Sequence, residues 1–218
     1  EPAGLSITSA DPAVRSRTLA FMEALCELCV DLGGTYLVHG SANQRRLTAG
    51  SEEVDRQRAV EAFAFGARAA AAVGATYLIE PIRPSRSDFI HTIAEAAAIA
   101  QASGNPALRT MLDCCSAVEA EREPLPDLLD RWLPSGMIAH VHLNDGNQRG
   151  PGEGPLRFAG IIAALRRHHY AGALSVEPFV FEPDGCAVAA RAAGYVRGLL
   201  EATGTDVDAD APVAAARE

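Results

Sequence analysis

Two kinds of apolar pattern alternate along the chain. Short runs rich in β-branched and aromatic residues occur at 35–39 (TYLVH), 76–80 (TYLIE), 108–113 (LRTMLD), 137–143 (MIAHVHL) and 173–177 (ALSVE), and each reads as a buried strand. Between them lie alanine-rich stretches with apolar residues at helical spacing, which predict helices at about 12–32, 53–73, 87–103, 118–133, 157–169 and 184–201. Their starts carry capping chemistry: Asp11 before Pro12, Ser51 before Glu52 and Glu53, and Ser87 before Asp88. Gly33, Gly34, Gly104 and Gly172 mark the turns back to the next strand. Residues 5–8 (LSIT) read as the remnant of one more strand.

Strand–helix repetition of this kind builds a parallel sheet with helices against it. The units average roughly 34 residues, close to the spacing of an eight-unit barrel of about 250 residues, so two units are expected to be absent. Spacing alone admits three descriptions: an incomplete barrel, a chain cut at its start, or an open doubly wound sheet. The segment 202–218 is acidic, rich in small residues and without periodicity; it is expected to be disordered, leaving residues 1–201 as one domain.

Composition narrows the chemistry. With 48% hydrophobic residues in 218, a substantial core can be buried. All 19 basic residues are arginine, which excludes Schiff-base, pyridoxal-phosphate and Walker A lysine chemistry. Against 28 acidic residues this leaves a formal net charge of -9, which argues against nucleic acid or an anionic membrane surface as partner. The longest apolar stretch, 69–79, is far short of the roughly 20 residues of a membrane helix. Five cysteines are an odd number without disulfide spacing, and no secretory signal pattern is visible, so a reducing cytoplasm is the expected location. Cys26-x-x-Cys29 lies in a helical run and reads as core packing.

Candidate chemistry follows from where the polar residues fall. Four strands in succession end on a metal-capable side chain: Glu80, Asp113, His142 and Glu177. In a parallel α/β fold the carboxyl ends of the strands face one side, so the four would converge. Three carboxylates and an imidazole suit one hard or borderline divalent ion, Mn2+ first, with Mg2+ or Co2+ as alternatives.

The motifs YLIEP at Tyr77–Pro81, MLD at Met111–Asp113, HVHLNDGNQRGPGEG from His140 and SVEPF at Ser175–Phe179, in this order and spacing, resemble the xylose isomerase-like TIM barrels, in particular sugar 3-epimerases of the tagatose and psicose type. The resemblance implies a (β/α)8 barrel lacking about two N-terminal units, with a metal held by Glu80, Asp113, His142 and Glu177. It also implies an acid–base pair, Glu80 and Glu177, that moves a proton next to a ketone through an enediolate. The expected substrate is a small sugar, and the expected assembly a homodimer.

The substrate shell departs from the family pattern. Arg86 stands where a second glutamate is usual, Ser116 where a histidine is common, and Gln148 where an arginine binds substrate, with Arg149 one position on. Gln148 and Arg149 are therefore substrate-binding candidates, and His39, ending a strand, is a third. His140 reads as an inward-facing neighbour of His142, His168 and His169 as a solvated helix end, and the 150–155 loop as a rigid cover rather than a phosphate cradle. Two rival functions remain at this level: a phosphodiesterase of the endonuclease IV-like branch, against which Ser116 and the net charge count, and a degenerate, non-catalytic barrel.

Overall fold

The computed structural model describes residues 4–204. Five strands run in order through one sheet: β1 (Tyr36–His39), β2 (Thr76–Ile79), β3 (Leu108–Asp113), β4 (Ile138–His142) and β5 (Leu174–Ser175). Every pairing is parallel, and each strand neighbours the next in the chain. A doubly wound sheet reverses its order at a switch point. This sheet never reverses, so the open doubly wound sheet is set aside and the five consecutive strands form a stretch of barrel wall.

The helices pack on the outside: α1 (Pro12–Asp31), α2 (Glu52–Ala72), α3 (Ile93–Ser103), α4 (Cys114–Ala120), α5 (Leu125–Trp132), α6 (Phe158–Arg167) and α7 (Gly185–Ala202). Strand alternation sorts side chains between two faces. Val38, Leu78, Met111 and Ala139 form a small cluster on the inner face, while Tyr77, Ile79 and Leu108 join Phe63 and the helix residues outside. A second outer cluster sets Leu112, Val141 and Leu143 against Leu128, Leu129, Phe158 and Ile161. Both faces of the sheet are thus covered with apolar material, which is why the strands read as continuous hydrophobic runs.

Three expected elements differ. Residues 5–8 are not a strand: Ile7 donates its N–H to the Gln44 carbonyl at 2.8 Å in the turn after β1, while its side chain remains in the core. The helix expected from 87 begins at Ile93, because Thr92 and Glu95 form the capping box, and Ile90, at φ 62, keeps the preceding residues in a loop whose base is the Ile82 N–H to Ile90 carbonyl bond of 3.0 Å. The helix expected over 118–133 is two, α4 and α5, broken before Pro124, since proline disfavours helical geometry in the residue ahead of it. Helix α7 runs to Ala202, one residue into the segment 202–218 that was expected to be disordered, and residues 205–218 of that segment lie outside the described residues. No helix among the described residues is long and apolar enough to cross a membrane.

Candidate metal and proton-transfer site

Glu80, Asp113, His142 and Glu177 meet at the carboxyl ends of β2, β3, β4 and β5. Each offers one ligand atom, and the four atoms lie within 4.8 Å of one another. His142 Nδ1 is 3.0 Å from Glu177 Oε2, 3.7 Å from Asp113 Oδ2 and 3.8 Å from Glu80 Oε1, yet it is buried without a hydrogen bond of good geometry.

The surroundings fix these side chains. Asp113 caps α4, its Oδ1 accepting from the Ser116 N–H at 2.7 Å, which leaves Oδ2 for the site. Asn144, fully buried, donates its amide to Asp113 Oδ2 at 2.8 Å and accepts the Glu177 N–H at 2.6 Å. It therefore ties β3 to the segment after β5. Because β5 pairs only over Leu174–Ser175, Glu177 has already left the ladder and depends on this bond. Arg45, fully buried, donates Nη2 to the Glu80 carbonyl at 2.7 Å.

Burial foremost, with the charges of Asp113 and Glu177, pushes the Glu80 carboxyl up to about 8. Burial alone would lower the His142 pKa, but the carboxylates of Asp113, Glu177 and Glu80 close around the ring outweigh it and hold the imidazole at about 10. Three carboxylates thus crowd around one unpartnered ring nitrogen, an arrangement that a divalent cation relieves. Oxygen donors with a single imidazole suit Mn2+, Mg2+ or Co2+, so the residues present fit such an ion.

The site lies in a cleft of about 910 Å³. Gln148 lines it, in a left-handed conformation with φ 68, and its carbonyl accepts the N–H groups of Phe179 and Val180. Arg149 is not among the lining residues; its guanidinium pairs with Glu182 at 2.5 Å. His39 borders the cleft, but its ring turns into the helix layer, sharing a 2.7 Å hydrogen bond with the Tyr77 hydroxyl and lying edge-on to Phe63. Burial, then the charge of Arg45, pushes its pKa down to about 3, so the ring is neutral. His140 faces inward beside His142, at 5.1 Å between ring centroids, with Nε2 3.0 Å from the Ser175 hydroxyl. Asp145, also fully buried, accepts the Leu156 N–H and so anchors the 145–156 loop.

Gly40, Asn144 and Arg45 escape a reading of the sequence. Asn144 carries a faint signal, a polar residue directly after a buried strand; Gly40 reads as an ordinary turn residue, and Arg45 as a surface arginine.

Residues 2–199 match the xylose isomerase-like TIM barrel family. The D-psicose 3-epimerase of Agrobacterium fabrum is 28% identical over 179 residues, taking in 80% of this chain and 61% of that protein. The L-ribulose 3-epimerase of Mesorhizobium japonicum is 28% identical over 183 residues, 83% of this chain and 60% of that protein. The chain therefore spans about 60% of the length of these curated relatives. A solved L-ribulose 3-epimerase superimposes with a TM-score of 0.78 at 25% identity, covering 92% of this chain and 73% of that one. A family 2 AP endonuclease from Brucella melitensis shares the fold at a TM-score of 0.70 and 21% identity.

Proposed function

The chain belongs to the xylose isomerase-like TIM barrel family, and from that premise we propose that it is a divalent-metal-dependent ketose epimerase working through an enediolate. The observation that carries this is the convergence of Glu80, Asp113, His142 and Glu177 within 4.8 Å at the mouth of a cleft. A bound divalent ion supplies positive charge to the oxygens of the ketone and its neighbouring hydroxyl, which makes the intervening C–H acidic enough for a carboxylate to remove.

The residues of the chain do the rest. Glu80 follows β2 and Glu177 follows β5, so the two stand at opposite ends of the arc of four strands and approach a substrate between them from different sides. One removes the proton and the other returns it to the opposite face, which inverts the carbon. Asn144 keeps Asp113 and Glu177 in register during this exchange. The side chain of Glu177 is 51% exposed against 11% for Glu80, which favours Glu177 as the base that meets the entering substrate. Gln148, which lines the cleft, is the favoured contact to the sugar; His39 and Arg149 are less favoured, since the His39 ring is turned away and the Arg149 guanidinium is paired.

The phosphodiesterase reading has less behind it. A single metal-capable cluster occurs among the described residues, and the likeness to an AP endonuclease is one of fold.

The test is Glu177→Gln. Glutamine keeps a carbonyl oxygen for the ion and cannot take the proton. Deuterium incorporation from solvent into a ketose is expected to fall by about 10²–10⁴, while Mn2+ affinity by titration changes far less. Undiminished exchange in the variant overturns the assignment.

A further inference from the structure

The connection from β2 to α3 carries side chains that the proton transfer does not use. Arg83 and Arg86 sit on one tight turn, in which the N–H groups of Arg86 and Ser87 both donate to the Arg83 carbonyl at 3.0 and 3.1 Å. Both arginines line the cleft that holds Glu80, Asp113 and His142. The turn is fastened at several points. Ile82 donates to the Ile90 carbonyl at its base, Ser85 donates both its N–H and its hydroxyl to the Glu119 carboxylate at 2.9 Å, and the Ser87 hydroxyl donates to the Phe89 carbonyl at 3.1 Å. A binding group on a loop so constrained loses little freedom when a ligand arrives.

Charge compensation separates these two arginines from a third. Arg46 also lines the cleft, but Asp88 neutralises it at 3.1 Å. The nearest carboxylate to Arg83 is Glu119, 3.8 Å from Nε and already accepting both Ser85 donors; the other Arg83 contact is the weak one from Nη1 to Cys115 Sγ. No ion pair or hydrogen bond among the described residues involves the Arg86 guanidinium. In a chain with net charge -9, two under-compensated guanidiniums facing one cleft run against the prevailing sign.

We infer that the cleft takes an anionic ketose, its terminal phosphate held by Arg83 and Arg86 while its ketone end lies at the Glu80–Glu177 cluster; the ketone end rests on the epimerase reading above. A guanidinium presents a planar fork of donors suited to phosphate oxygens. One carboxylate's two oxygens are occupied by a single fork, whereas a phosphate has a third oxygen left for the second. The cleft volume of about 910 Å³ accommodates a sugar phosphate.

Calorimetric titration of the 218-residue chain with D-fructose 6-phosphate, D-fructose and 5-keto-D-gluconate tests this, with deuterium exchange followed in parallel. D-Fructose 6-phosphate is expected to bind about tenfold to a hundredfold tighter than D-fructose, the range of charge-assisted hydrogen bonds, with inorganic phosphate competing. Arg83→Ala/Arg86→Ala should bring that ratio toward one. Arg86→Ala alone, at an exposed side chain, should lower it in part, which keeps the test open if the double variant does not fold. Equal affinity for the phosphorylated and neutral ketoses, preference for the carboxylated one, or a ratio unmoved by the variants overturns the inference. Exchange on D-fructose without any phosphate preference overturns the inference and leaves the epimerase reading standing. Arginine-dependent binding of the phosphorylated ketose without exchange does the reverse.

Discussion

At Gly40, directly after β1, an added Cβ would lie 1.8 Å from Glu80 Oε2. The glycine is what allows the buried Glu80 carboxylate to sit where it meets Asp113 and His142. An alanine methyl there would make the Glu80 carboxylate swing aside, away from Asp113 and His142. Gly40→Ala is therefore expected to weaken Mn2+ binding by about tenfold or more, on the scale of other changes that reorient a ligand. Titration with Mn2+ checks it, and wild-type affinity would show that Glu80 has room to move. The residue scale also shows where a sequence stops being informative. The four residues of the cluster were legible because a buried strand ending on an ionisable group needs a partner. The direction of the His39 ring was not, because the run TYLVH does not say which of its two alternating faces turns inward; Val38 takes the inner face, and His39 goes to the helices.

Among the elements, α1, α2 and β2 meet closely at Gly66, where a Cβ would stand 3.0 Å from Met22 Cε and from the Tyr77 ring. Helix α2 can approach the sheet because this position has no side chain. Gly66→Val is expected to destabilise the fold by about 1–3 kcal/mol, the cost of overpacking a filled core, read as a lower urea midpoint with unchanged m-value. The strands and most helices were legible at this scale, since apolar period separates them. Two boundaries were obscured by the same signal. Phe89 and Ile90 are apolar at helical spacing, yet they are buried from a loop, and the left-handed Ile90 there is a tertiary choice that no local preference favours. The break at Pro124 was marked in the sequence, but the flanking apolar residues made one long helix look continuous.

For the whole molecule, the sheet ends at β1 on one side and β5 on the other, and neither strand has a second neighbour among the described residues. Beside β5 lies an apolar groove of about 430 Å³ lined by Val176, Phe181 and Val188, with Phe181 56% exposed. Unpaired strand edges next to apolar surface promote association. The 218-residue chain on its own is expected to sediment as a dimer at micromolar concentration, and a well-folded monomer would show that these edges are protected by other means. The order of the strands has a consequence of a different kind. Because β2 to β5 are consecutive and supply every member of the cluster, the candidate centre is a self-contained cassette of four neighbouring strands. Strands joined to the β1 edge by recombination, or by an engineer grafting them there, would reshape what enters the mouth while the four-residue cluster stays untouched.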